Sequence, residues 1–132
     1  MSLVRFLPAW FHAVADYAVG IALIGLALGV GGSAKAVGAG VVVGVVVLAV
    51  SMLTRYPLGV VKVLPFTLHS AGDYLAAALL IAAPFALSFN HSEPTLATIY
   101  VVAGVAVLAV SLITNYQYSP RRTWAPRTRH AA

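Results

Sequence analysis

His12 stands four residues before Asp16, and His69 stands four residues before Asp73. A four-residue step on a helix returns to the same face, so each pair presents an imidazole beside a carboxylate. Two imidazoles and two carboxylates at matched depth form a ligand set for a divalent metal such as Zn, Mn or Fe. Paired histidines on facing helices can instead ligate a haem. The same groups can relay protons or couple an ion to solute movement. The plainer reading is polar glue between helices, with Tyr17, Tyr74, Ser51 and Ser111 supplying further partners.

The elements that carry these residues follow from composition. Of 132 residues, 61% are hydrophobic and 8% charged, against roughly a quarter charged in soluble proteins. No charge occurs from Tyr17 to Ala34, Ala36 to Thr54, Tyr74 to Ser92, or Pro94 to Pro120. Each window holds about the 20 apolar residues that a helix needs to cross a bilayer. The valine-rich run from Val37 to Val50 would read as a strand in water, but lipid forces a lone segment to close its own backbone hydrogen bonds, which makes it a helix. The expected spans are about 9–30, 37–54, 66–88 and 96–115, with Pro8 and Pro65 in first turns, where the missing N–H costs nothing.

The chain also resembles itself. Leu7–Tyr17 and Leu64–Tyr74 agree at five of eleven positions, Leu, Pro, His, Asp and Tyr, and Val47–Tyr56 agrees with Val107–Tyr116 at seven of ten. Such periodicity is read as architecture: one helical hairpin used twice, about 7–56 and 64–116. Two hairpins of even span number enter from the same side, so the expected fold is all-α, a polytopic membrane protein of four transmembrane helices arranged as two parallel two-helix repeats. Residues 1–118 form that domain and 119–132 a basic, disordered tail. The repeat also argues against reading the first span, with Ala34-Lys35-Ala36 after it, as a cleaved signal peptide.

Arg5, Arg55, Lys62, Arg121, Arg122, Arg127 and Arg129 fall on the side of the termini and central loop, and Lys35 alone on the other. The positive-inside bias makes both termini cytoplasmic in an inner (plasma) membrane. Trp10, Tyr56, Tyr116, Tyr118 and Trp124 are expected at the cytoplasmic headgroup level. The net charge of +5 flanks apolar spans and forms no soluble basic face, so nucleic acid is not an expected partner. The lipid bilayer is one, with a homo-oligomer or other membrane subunits left open. Cysteine is absent, which excludes disulfides and thiolate chemistry. Gly25/Gly29 and Gly40/Gly44 have the GxxxG spacing of close helix approach and are assigned to packing within the chain. Asn90-His91-Ser92 fits the glycosylation pattern but sits too near the membrane surface to be credited.

Each Asp lies eight residues past its helix-opening proline, about 12 Å along the helix and below the headgroups. Two of only three acidic residues are therefore placed where a carboxylate costs most. No nucleophile elbow, phosphate loop, zinc-protease motif or dinucleotide fingerprint occurs, so no enzymatic activity is expected.

The pattern of His, three residues, Asp-Tyr, an apolar helix and a late proline, as from His69 through Pro84 to Leu87-Ser88-Phe89, resembles the SPW-repeat family of integral membrane proteins. The stretch Leu53-Thr54-Arg55-Tyr56-Pro57-Leu58-Gly59 before Leu64-Pro65 resembles the linker between its repeats. The naming tripeptide reads Ala83-Pro84-Phe85 here, and the first half has no proline at that place. The resemblance implies a bacterial or archaeal membrane protein of two-helix repeats and brings no established activity. The expected role is structural or as an assembly partner. The alternative is a metal- or haem-binding or proton/ion-coupled component using His12, Asp16, His69 and Asp73. The cofactor is left unknown.

Overall fold

The computed structural model describes residues 5–117; the basic tail expected over 119–132, with Trp124 and four of the arginines, lies outside the described residues, as does Tyr118. Among the described residues the chain forms four helices, α1 (Ala9–Val30), α2 (Ala34–Leu53), α3 (Phe66–Ala86) and α4 (Pro94–Ile113). All four are long and apolar enough to cross a membrane. The protein is an all-α, multi-pass membrane protein built as two parallel helical hairpins.

The helix ends depart from expectation by up to three residues, for local reasons. Helix α2 starts early because the Ser33 side chain accepts from Ala36 N, filling one of the orphan donors of a first turn. Helix α4 starts on Pro94, a favoured first position. Helix α3 ends at Ala86 because Ser88 takes a left-handed φ of 54°, which a helix cannot continue through. Pro8 and Pro65 sit one residue outside their helices, in extended and near-extended backbone.

Within each hairpin the helices meet on glycine. A side chain at Gly44 would press on Gly20 O at 2.8 Å, and one at Gly104 on Ala77 O at 2.9 Å. These contacts let the backbones close together, as membrane helix pairs require in the absence of a hydrophobic driving force. Gly40 lies against the Tyr100 ring, whose hydroxyl donates to Ala36 O at 2.6 Å. Gly25 and Gly29 correct the expected packing role: a side chain at either would meet nothing within 4 Å. Both face outward, on a side of α1 that no other helix covers.

The two hairpins are joined differently. At one end Leu7 N donates to Ile113 O and Asn115 N to Leu7 O, at 2.8 and 3.0 Å. At the equivalent place Leu64 N donates to Leu53 O and Arg55 N to Leu64 O, both at 2.8 Å. Each helix-ending carbonyl is thereby satisfied by the chain entering a helix of the other hairpin, which a membrane protein needs. At the far end, Ser33 N donates to both Glu93 carboxylate oxygens at 3.2 Å. This frame puts the chain entry, the α2–α3 connection and the α4 exit on one side, and His12, Asp16, His69 and Asp73 just inside it.

Candidate functional site

The quartet sits one to two turns into α1 and α3, where the two helices lie diagonally across the bundle and meet through side chains, Phe66 on His12 and the imidazoles on the opposite carboxylates. His12 and His69 are 1% and 2% exposed, and Asp16 and Asp73 are 8%. One ligand atom from each lies within 4.8 Å of every other. His12 Nε2 is 3.3 Å from Asp16 Oδ1 and 3.0 Å from Asp73 Oδ2. His69 Nε2 is 3.1 Å from Asp16 Oδ2 and 2.9 Å from Asp73 Oδ1. Every imidazole therefore reaches both carboxylates, one on its own helix and one across the bundle. Neither Nε2 makes an aligned hydrogen bond among the described residues; each is directed between the two carboxylates.

The other ring nitrogen decides what these atoms carry. His12 Nδ1 lies 2.8 Å from Thr114 Oγ1, and His69 Nδ1 lies 2.7 Å from Thr54 Oγ1. A hydroxyl has one hydrogen, and each threonine spends it on a backbone carbonyl: Thr54 on Val50 O at 2.6 Å, Thr114 on Val110 O at 2.7 Å. For Thr54 that carbonyl has lost its own helix amide, because Thr54 N turns to Ser51 O. The threonine oxygens are thus left to accept, and both histidines donate from Nδ1. In the neutral tautomer each Nε2 then offers its lone pair to the centre. This is the arrangement in which an outer acceptor orients a metal-ligating imidazole.

The carboxylates are held from outside in the same way. Tyr56 Oη donates to Asp16 Oδ2 at 3.1 Å and Tyr116 Oη to Asp73 Oδ2 at 2.6 Å. Burial holds both phenols well above their ordinary pKa, and the adjacent carboxylate pushes the same way, so both remain donors. Phe66 packs between them, with ring centroids 5.4 Å from Tyr56 and 4.8 Å from Tyr116. The three rings pack over the quartet at the end of the bundle where α1 and α3 begin.

Four of the expected site residues thus converge, and two do not. Tyr17 points to the exit of the α2–α3 connection, donating to Leu58 O at 2.9 Å, and Tyr74 is only half-buried on α3. A residue one step past Asp on a helix is turned about 100° away from it. Tyr56 and Tyr116, just past the ends of α2 and α4, lie buried against the carboxylates. Ser51 bonds its own helix at Val47 O, 2.7 Å away. Thr54, Thr114 and the two tyrosine hydroxyls were missed as site groups, although they recur at equivalent places in the two halves.

The donor set is compatible with a metal. Each Nε2 lies 2.9 to 3.3 Å from one oxygen of both carboxylates, and one ligand atom from each residue lies within 4.8 Å of the others; tetrahedral ligation at about 2.0 Å sets ligand atoms about 3.3 Å apart, so the quartet would draw in slightly around an ion. Two neutral imidazoles and two carboxylates carry two negative charges, which one divalent cation balances. A haem does not fit, because the Asp16 and Asp73 carboxylates occupy the space between the two imidazoles that a porphyrin would fill. Comparison of the chain with known protein families, with curated proteins and with solved structures finds no match.

Proposed function

We propose that this chain is an inner-membrane protein with both termini cytoplasmic, and that His12, Asp16, His69 and Asp73 bind one divalent transition metal between the hairpins. The observation that carries the reading is the fixed Nδ1–H of both histidines, which aims two buried Nε2 atoms between two carboxylates with no aligned bond to either. Mixed imidazole and carboxylate ligation suits Zn, Fe(II) or Mn(II). The orientation rests on Arg5, Arg55 and Lys62 at the quartet end. The metal joins hairpins rather than performing a reaction, so the role proposed is structural or in assembly, with no enzymatic activity. Kinship with SPW-repeat proteins is proposed on the two-helix repeat architecture, with the His/Asp-Tyr pattern and the linker beside it.

The test is metal analysis of the detergent-purified protein beside a variant with His12→Ala and His69→Ala. One bound ion per chain in the parent and none in the variant is expected. Equal metal in both overturns the site. A second reading, in which the quartet is glue without metal, is favoured by its direct Nε2–carboxylate approaches. It predicts a metal-free parent whose thermal stability is unchanged by a chelator.

A further inference from the structure

The two seams between hairpins are built from equivalent residues, yet they differ in volume. The α2/α3 seam holds a cavity of about 310 Å³ that runs from Val42 and Leu79 down to His69 and Asp73. The α1/α4 seam, which ends on His12 and Asp16, holds about 40 Å³. Gly72 and Ala76 on α3 stand where α1 has Ala15 and Val19, while Leu75, Leu79, Val43 and Val46 stand where the other half has Ala18, Ala22, Ala103 and Ala106, so the larger seam has small residues in its wall and taller ones along its flanks. A side chain at Gly72 would meet nothing within 4 Å. The larger seam is flanked by Val42, Val46, Leu75 and Leu79, all exposed on the bilayer-facing surface.

We propose that the α2/α3 seam is a lateral binding groove for a single-chain lipophile with a hydroxyl head, which donates to Asp73. From Leu79 to His69 the groove follows ten residues of helix, about 15 Å, a run suited to a medium-length alkyl chain. Its walls are valine, leucine, alanine and glycine, and its floor is His69 and Asp73. Among the described residues Asp73 Oδ1 lies against His69 Nε2 alone, while Oδ2 faces His12 Nε2 and accepts from Tyr116. A carboxylate oxygen accepts two, so the floor offers an acceptor and selects a donor head. Asp73 lies seven residues into α3, about 10 Å from its start, too deep for a phosphodiester to follow. A long-chain alcohol or a quinol meets these requirements. The proposal goes beyond metal binding and does not depend on it, since the spare acceptor is present with or without an ion.

The full chain is reconstituted in phosphatidylcholine vesicles and labelled with a dodecanol carrying a terminal diazirine, and the labelled peptides are mapped by mass spectrometry. Label concentrated on α2 and α3, saturable, and displaced about tenfold better by dodecanol than by dodecane is expected. Gly72→Leu and Ala76→Leu fill the groove and lower labelling about tenfold, while Ala18→Leu on the outer face of α1 leaves it unchanged. Should Gly72→Leu fail to fold, Ala76→Leu reads the same groove. Label spread evenly over all four helices, equal displacement by dodecane, or labelling unchanged in a folded Gly72→Leu or Ala76→Leu protein overturns the proposal. None of these outcomes bears on metal content, which is measured separately.

Discussion

The interiors of the two hairpins and the seams between them solve the same problem by opposite means. Inside a hairpin, Gly44 against Gly20 and Gly104 against Ala77 bring two backbones into contact, and no polar side chain is needed. Between hairpins the helices stand further apart, and buried His–Thr and His–Asp contacts span the gap, with Tyr56 and Tyr116 holding the carboxylate of their own hairpin in place. Close packing in lipid gains dispersion over many atoms and tolerates gradual loss. A polar network is fully satisfied or costly, because no water is present to replace a missing partner. The seams should therefore respond steeply to single-atom changes, and the hairpins to changes of volume.

The largest effect expected is at the seam. Asp73→Ala leaves both imidazoles facing a single carboxylate and Tyr116 without its acceptor, and should cost about 3 to 5 kcal/mol, read as loss of the folded monomer in thermal denaturation in detergent. Next comes the hairpin: Gly104→Val drives a side chain into Ala77 O and should cost about 1 to 3 kcal/mol, with α3–α4 crosslinking reduced and metal content retained. If Gly104→Val instead removed the metal, hairpins and seams would not be separable.

Thr114→Val is a finer probe, since it keeps volume and removes only the hydroxyl that accepts from His12 Nδ1 and donates to Val110 O. An unsatisfied buried donor costs about 1 to 3 kcal/mol, and loss of an outer partner weakens metal affinity about 10- to 100-fold. Thr54→Val should match it, as the two distances to histidine differ by only 0.1 Å. Tyr116→Phe should cost more than Tyr56→Phe, its bond being 2.6 Å against 3.1 Å; hydrogen bonds to charged groups contribute about 1.5 to 3 kcal/mol. Smallest of all, Gly25→Ala faces open space and should leave stability unchanged or raised by about 1 kcal/mol through helix propensity. A marked loss there would mean that α1 packs against something outside the chain.

Much of this frame is legible in the residues. Charge-free windows place the spans to within a few residues, and the duplicated His-x-x-x-Asp pairs point to the quartet. The network around it was harder to read, because Thr54 and Tyr56 follow α2 and reach helices of different hairpins: Thr54 meets His69 and Tyr56 meets Asp16. Spacing along one helix says nothing about such partners. The signal was nevertheless present: among the seven identities between Val47–Tyr56 and Val107–Tyr116, the polar ones are Ser, Thr and Tyr, and polar residues repeated in an apolar segment carry a cost that something must offset. Tyr17 and Tyr74 drew attention by adjacency to Asp, which on a helix separates faces. The inequality of the seams comes from small exchanges between the halves, Gly72 and Ala76 for Ala15 and Val19 among them, which follow no pattern in the chain.

The central claim is that four side chains from two hairpins hold one metal ion. X-ray absorption at the metal edge, on protein loaded with one equivalent of zinc, reads that coordination directly. The account predicts four nitrogen or oxygen neighbours at about 2.0 Å with the outer scattering of two imidazoles, reduced to one imidazole in His69→Ala. A spectrum of six oxygen neighbours without imidazole scattering, unchanged in that variant, would contradict it.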